Sequence, residues 1–296
     1  VAADLRRRFA AAGIESAATD ADALVCRALG WDRSRLLSRA GEPLPGGAAE
    51  WLAGAAARRE GREPLAYILG EREFWSLPFR VSPGCLIPRP ETELLVERAV
   101  ALLGTGGLTG DAPAPRILDL GTGTGAIGVA VAKELPGASV LASDLSGEAL
   151  ELALENARRN GVADRFEVVR SDLFGEIPED VSFDAVISNP PYIPTAEIEG
   201  LMPEVALFEP CLALDGGPDG MRCLREILRD APARLKRGGV LLLEMDPGQI
   251  PVCSKEMGGS NARETPRVRG ASNAWETPRV WRDLAGRDRV LEAVRA

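Results

Sequence analysis

The stretch "ILDLGTGTGAIG", residues 117–128, reads as a strand, a glycine loop and the opening of a helix. Its apolar run stops at Leu120. Gly121, Gly123 and Gly125 then allow a sharp turn and a closer ligand approach than any Cβ would permit. The first N–H groups of the following helix lack backbone partners and suit a carboxylate or phosphate. Residues 123–128 also fit G-x-G-x-x-G, and Asp144 stands about 21 residues on, at the end of the next apolar run. An acidic side chain there can bind both hydroxyls of a ribose, so loop and acid together point to an adenosine-containing ligand without deciding which.

Outward from this loop, apolar runs alternate with helical patterns. Candidate strands are "RILDL" (116–120), "SVLASD" (139–144), "FEVVRSD" (166–172), "FDAVISN" (183–189) and "GVLLLEM" (239–245). Helix-like segments at 125–135, 146–160 and 219–236 separate most of them, which implies right-handed crossovers and a doubly wound, mostly parallel sheet. "VWRDLAGRDRVLEAV" (280–294) closes it as a final hairpin, giving a seven-stranded Rossmann-like α/β domain.

Residues 1–62 are rich in Ala, Leu and Arg at helical spacing. In "TDADALVCRALG" (19–30), Thr19 or Asp20 is the candidate N-cap and Gly30 the stop. Residues 63–93 change character, with Phe74, Trp75 and Phe79 clustered and "SPG" (82–84) expected to turn a β-hairpin. The expected organisation is a small all-helical, substrate-recruiting domain over 1–72, a β-hairpin linker over 73–90 and the α/β domain over 91–296. Within the last, 251–279 is expected as loop or insertion, because 251–272 shows no periodicity and "NARETPRV" (261–268) recurs as "NAWETPRV" (273–280).

Composition narrows the chemistry. The 296 residues carry a net charge of −9, which gives no general attraction for nucleic acid and favours neutral, basic or small partners. No apolar run approaches the ~20 residues of a membrane span. The N-terminal "VAADLRRRFAAAG" lacks the apolar core of a secretory signal, so a cytoplasmic location is expected. The five cysteines form no CxxC pair and read as free thiols. There is no histidine, which makes hydrolytic triads and zinc catalysis poor candidates and leaves no metal site expected.

Asp119 discriminates among adenosine ligands. It lies two residues before the first glycine, where an amino acid's ammonium group would gain from a carboxylate and the phosphates of NAD would not. The D-x-G-x-G-x-G form (119–125) therefore suits S-adenosylmethionine, with S-adenosylhomocysteine as product. "SNPPYIP" (188–194) supplies the acceptor side. Pro190 holds Asn189 extended at the carboxyl end of the fourth strand, where ligands bind in such sheets. Neither Pro190 nor Pro191 has an N–H, so the Pro190 carbonyl and the Asn189 side-chain oxygen are two acceptors suited to one –NH₂ group. Tyr192 offers a flat face for a planar group beside them. A conjugated amino nitrogen is a poor nucleophile, but holding it in line with the methyl carbon removes much of the barrier. Methyl transfer needs no strong base beforehand, in keeping with the missing histidine.

"NPPY" with "DLGTGTGAIG" resembles the class I amino-methyltransferases, and "PLAYILGEREFWSLPFRVSPGCLIPRPETE" (64–93) is similar to the narrower family of release factor glutamine N5-methyltransferases, the HemK/PrmC family. "EPCLALDGGPDGMRCLREIL" (209–228) and "RDLAGRDRV" (282–290) match later motifs of that family. The resemblance implies methylation of the glutamine side-chain amide in the Gly-Gly-Gln loop of class I peptide chain release factors by a monomer, with no direct nucleic-acid partner. By position it implies that Gly121, Thr122, Gly123, Thr124 and Gly125 hold the methionine part of the cofactor, Asp144 the ribose, and Asp172 and Leu173 the adenine. Asn189, Pro190, Pro191 and Tyr192 would hold the glutamine amide, with Asn189 also touching cofactor. It further puts "RPETE" (89–93), with Arg89 and Glu91, near the active site; the same residues also read as a plain helix start with Pro90 at its first position.

Three other readings stand beside this one. A DNA or RNA amino-methyltransferase shares the tetrapeptide but needs a phosphate groove and a base-flipping region. An NAD-dependent oxidoreductase leaves Asp119 and "NPPY" unexplained. A non-catalytic relative has no folding reason to keep "NPPY".

Overall fold

The computed structural model describes residues 1–39, 45–104, 114–258 and 274–296. They divide into two compact units: Val1–Arg72 with Leu201–Phe208, and Glu73–Gly200 with Glu209–Ala296. No helix among the described residues is long and apolar enough to cross a membrane.

The first unit is helical, with helices Ala2–Ala11, Ala17–Leu29, Arg33–Ser38, Gly46–Glu60 and Leu65–Leu69. Leu5, Phe9, Leu24, Val25, Leu52 and Ala56 form its core. Helix Ala17–Leu29 starts earlier than expected, after Ser16, so neither Thr19 nor Asp20 caps it. Asp20 is buried instead and accepts from Arg59 Nε at 2.7 Å; an ion-pair partner outcompetes the capping role. Gly30 does end the helix, in the left-handed conformation at φ 60°. Segment 201–208 joins this unit through Glu204, whose carboxylate takes bonds from Arg59 at 3.0 Å and from Arg62 at 2.8 and 2.6 Å.

Strands β1 (Glu71–Phe74) and β2 (Leu77–Arg80) form the two-stranded sheet. Their turn is Trp75–Ser76, both at positive φ (53° and 55°), rather than the expected "SPG". Two consecutive left-handed residues match the strand twist as a type I′ turn does. The Trp75 N–H is held by Glu93 Oε1 at 2.7 Å. "SPG" makes a separate turn, closed by Cys85 N to Ser82 O at 3.0 Å.

The second unit contains a seven-stranded sheet built from β3 (Arg116–Leu120), β4 (Ser139–Asp144), β5 (Phe166–Arg170), β6 (Phe183–Ser188), β7 (Leu235–Glu244), β8 (Arg279–Arg282) and β9 (Asp288–Val294). The spatial order is β5-β4-β3-β6-β7-β9-β8, parallel through β7 and antiparallel at β9 and β8, the doubly wound architecture expected. Along β3, Ile117 enters one core and Leu118 the opposite one, the period-2 alternation of a strand covered on both faces. Helices Ala126–Glu134 and Gly147–Arg159 follow β3 and β4, and Arg222–Arg234 precedes β7. Register aligns Leu120 with Ser143 and with Ser188, and Ser188 with Leu243. The glycine loop, Asp144, Asn189 and Glu244 therefore all leave the sheet at its carboxyl edge, on the two sides of the β3/β6 switch point.

Two expected boundaries move. β7 begins at Leu235, before the glycines, and residues 250–256 form a helix, Ile250–Glu256, where a loop was expected. Pro251 sits in its first turn, where a missing N–H costs nothing, and Ile250, Cys253 and Met257 are buried on one side. The first copy of the duplicated segment lies outside the described residues; the second runs into β8.

Candidate active site

The glycine loop is pinned to β4. Gly121 N and Thr122 N both donate to Ser143 O at 2.8 Å, and Gly123 N donates to Asp144 Oδ2 at 2.9 Å. Gly121, Gly123 and Gly125 all have positive φ, and nothing lies within 4 Å of where a Cβ on Gly121 or Gly123 would sit. That open space is what a ligand lying against the backbone requires. Asp144 also accepts from Ser146 N at 2.9 Å; burial raises its pKa, opposed by these backbone bonds. Asn156, fully buried, ties three elements together: it accepts from Arg80 N and donates to Arg80 O and to Thr124 O.

Asp119 is fully buried beneath the loop. Its Oδ2 accepts from Thr122 Oγ1 at 2.6 Å and Gly128 N at 2.9 Å, while Oδ1 has no partner. Burial pushes its pKa up to about 6, against those two bonds.

Asn189 leaves β6 partly buried, and its Nδ2 donates to Thr92 Oγ1 at 3.1 Å. With its nitrogen so engaged, the amide oxygen is the free acceptor. The backbone that follows is fixed from outside: Tyr192 O accepts from Gln249 Nε2 at 2.8 Å, and the same amide bonds Gly220 O at 3.2 Å. Gly220, at φ 73°, packs so closely that a Cβ would collide with the Tyr192 carbonyl oxygen.

A cavity of about 530 Å³ opens along this edge. Of the expected cofactor residues, Gly121, Thr122, Gly123, Thr124, Asp144, Asp172, Leu173 and Asn189 line it, and Asp119 and Gly125 do not. Of the expected acceptor residues, Asn189, Pro191 and Arg89 line it, whereas Pro190, Tyr192 and Glu91 do not. Pro190 is buried. The Tyr192 ring, expected as a stacking face, packs against the core, and burial pushes its hydroxyl up to about 12. Glu91 instead pairs with Arg287 at 3.4 Å, in solvent. Within "RPETE", Pro90 opens a 3-10 turn before helix Glu93–Leu103, and Arg89 and Thr92 face the cavity.

Several further residues line the cavity wall. Gly84, Cys85, Leu86 and Pro88 form one side, and Pro210, Leu212, Arg222 and Glu226 another. The segment Ser82–Pro88 was legible only as a turn. Burial pushes the Cys85 thiol up to about 12, so it is a protonated wall group rather than a nucleophile. Glu209 is buried and bonds Arg89 at 2.5 Å, holding that guanidinium at the cavity rim. Leu173 is held at φ 47°, strained for a side chain with a Cβ and located where the cavity needs its wall. No metal-binding cluster occurs among the described residues.

The geometry fits S-adenosylmethionine: open space above the backbone at Gly121 and Gly123, an acid at the end of β4 facing the cavity, and a buried carboxylate with an unpartnered oxygen beneath the loop. Residues 2–70 match the model of the PrmC N-terminal domain, and residues 99–203 that of the methyltransferase small domain. The chain is 48% identical over 242 residues to the release factor glutamine methyltransferase of Cereibacter sphaeroides, covering 82% of this chain and 83% of that one. It is 40% identical over 289 residues to the protein of the same name from Moorella thermoacetica, covering 98% and 95%. Among solved structures, the hMettl16 catalytic domain in complex with MAT2A 3'UTR hairpin 6 aligns at a TM-score of 0.53 and 18% identity, covering 81% of each chain, a likeness of fold alone.

Proposed function

The chain belongs to the release factor glutamine methyltransferases, and from that premise we propose that it methylates the side-chain amide nitrogen of the glutamine in the Gly-Gly-Gln loop of class I peptide chain release factors. The observation that carries this reading is Asn189, facing the cavity with its amide nitrogen engaged by Thr92 and its oxygen free to accept.

S-adenosylmethionine supplies an electrophilic methyl group on a sulfonium. Asp144 binds the ribose hydroxyls through the lone pairs that Gly123 and Ser146 leave available. The loop from Gly121 to Thr124 lies against the amino-acid end, with Asp119 beneath it bracing Thr122 and Gly128, and Asp172 and Leu173 flank the adenine. Asn189 Oδ1 accepts a hydrogen of the glutamine –NH₂ from the cavity wall, which turns the nitrogen lone pair toward the methyl carbon. Pro191 and Arg89 bound the acceptor, while Tyr192 acts from behind the wall by fixing the loop's path. The helical unit recruits the factor away from its glutamine loop.

The test is peptide mapping of a release factor incubated with enzyme and cofactor. The glutamine-loop peptide should become one methylene heavier, with fragmentation placing the addition on that side chain. Modification of any other peptide would refute the assignment.

A further inference from the structure

Arg89 caps the 3-10 turn Pro90–Thr92 and lines the cavity. Its Nη2 donates to Glu209 Oε1 at 2.5 Å, and Ile87 N reaches the other oxygen of that carboxylate at 3.5 Å. The Glu209 side chain is 1% exposed and that of Arg89 34%. Both partners of Glu209 are donors, the pattern of an ionised carboxylate, which only accepts. Removing either member of a pair so placed leaves a charge uncompensated, so Glu209 fixes one edge of the guanidinium.

A guanidinium carries five N–H donors in a rigid fork. One is taken by Glu209, and nothing else among the described residues bonds the Arg89 side chain. The carboxylate lies on the buried side, which leaves the unused donors on the open one. The turn tells which end of the cavity they serve. Thr92 N donates to Arg89 O at 3.1 Å, and Thr92 Oγ1 takes Asn189 Nδ2 at the same distance. Residues three apart share a face of a 3-10 turn, and Arg89 and Thr92 both face the cavity. The fork therefore stands beside the group that orients Asn189, at the acceptor end. Its charge is cancelled by Glu209, so it offers directed donors with little net pull on a phosphate or a second carboxylate. That suits neutral carbonyl oxygens.

We infer that Glu209 is a positioning residue that holds Arg89 with its unused donors toward the main-chain carbonyls of the acceptor loop, so that the pair reads the peptide beside the glutamine. The inference rests on the release-factor reading above. The two glycines of that loop have no side chains, and their backbone carbonyls are the acceptors they present.

The test is initial rate against release-factor concentration, with cofactor saturating, for the wild type, Arg89→Lys, Arg89→Gln, Glu209→Gln and the double variant Arg89→Gln/Glu209→Gln. Melting temperature and calorimetric affinity for S-adenosylhomocysteine are read on the same preparations. A lysine keeps the ion pair but not the fork, so Arg89→Lys should melt as the wild type does and still raise KM by ~10-fold. Arg89→Gln should raise KM by ~10–100-fold, the value of charge-assisted hydrogen bonds, with kcat within ~3-fold because this contact is the same before and during transfer. Glu209→Gln should raise KM by ~10-fold, and the double variant should be no worse than Arg89→Gln, since Glu209 acts through Arg89 alone. Affinity for S-adenosylhomocysteine should stay within ~3-fold throughout, as no bond to it is removed. A wild-type KM in Arg89→Lys would reduce the pair to a structural ion pair. A matching loss of S-adenosylhomocysteine affinity would put the guanidinium on the cofactor, and additive losses would give Glu209 a separate role. With an active wild type, each of these overturns the inference alone. A wild type that transfers no methyl to the factor overturns the functional reading and the inference with it.

Discussion

Asn189 Nδ2 donates to Thr92 Oγ1 across 3.1 Å, so the residue that follows β6 takes its orientation from the residue before helix Glu93–Leu103. This joins the two motifs that the sequence presents 97 residues apart. Removing the acceptor with Asn189→Ala should lower kcat by ~10²–10³-fold, the usual cost of one preorganised partner at a reacting group. Cofactor affinity, which loses at most one neutral hydrogen bond, should fall by no more than ~10-fold. Rapid-quench transfer and calorimetry measure the two separately.

Asp144 has two tasks, since it anchors Gly123 N and presents its carboxylate to the cavity. Asp144→Ala should weaken S-adenosylmethionine binding by ~10–100-fold, the value of one charge-assisted hydrogen bond. Binding of the release factor alone, followed by anisotropy, should be unaffected. Loss of both together would mean that the substitution had collapsed the loop.

Gly220 has no room for a side chain, with Gln249 Nε2 2.6 Å and the Tyr192 carbonyl oxygen closer still to an added Cβ. Gly220→Ala should cost ~1–3 kcal/mol by overpacking at a left-handed position. It should also lower kcat, because the displaced neighbour is the backbone that follows Asn189. Urea denaturation and initial rates on the same preparation give both numbers.

Much of this was legible in the sequence. The strand-loop-helix around Gly121, the acid at 144 and the proline-framed Asn189 needed only local chemistry, and the parallel order followed from crossovers. The partners of those residues were not legible. Thr92, Gln249 and Gly220 meet the NPPY segment through long-range packing, and each reads locally as a helix cap or a turn. The hairpin turn was misplaced because Trp75–Ser76 has no glycine or asparagine to announce positive φ. Asp119 was legible as an acid ahead of the glycine loop, but not as the buried partner of Thr122 and Gly128.

Within the helical unit, Arg59 is buried between Asp20 and Glu204. Arg59→Ala should cost roughly 3–5 kcal/mol, because it strands a buried aspartate. Burial alone would raise the Glu204 pKa, but bonds from Arg62 and Arg59 hold it below the usual carboxylate range. A depressed folded pKa contributes stability above the unfolded value of 4.5, and that contribution is lost as pH falls through the folded value. In Glu204→Gln this part of the acid destabilisation should vanish, as read by melting temperature against pH.

Methylation of the release factor glutamine is tested most directly by transfer of a tritiated methyl group from S-adenosylmethionine, offered in parallel to a class I release factor, its loop Gln→Ala variant, duplex DNA and ribosomal RNA. Label is expected on the intact factor alone. Label on nucleic acid, equal label on the Gln→Ala variant, or none from enzyme with proven cofactor binding would contradict it.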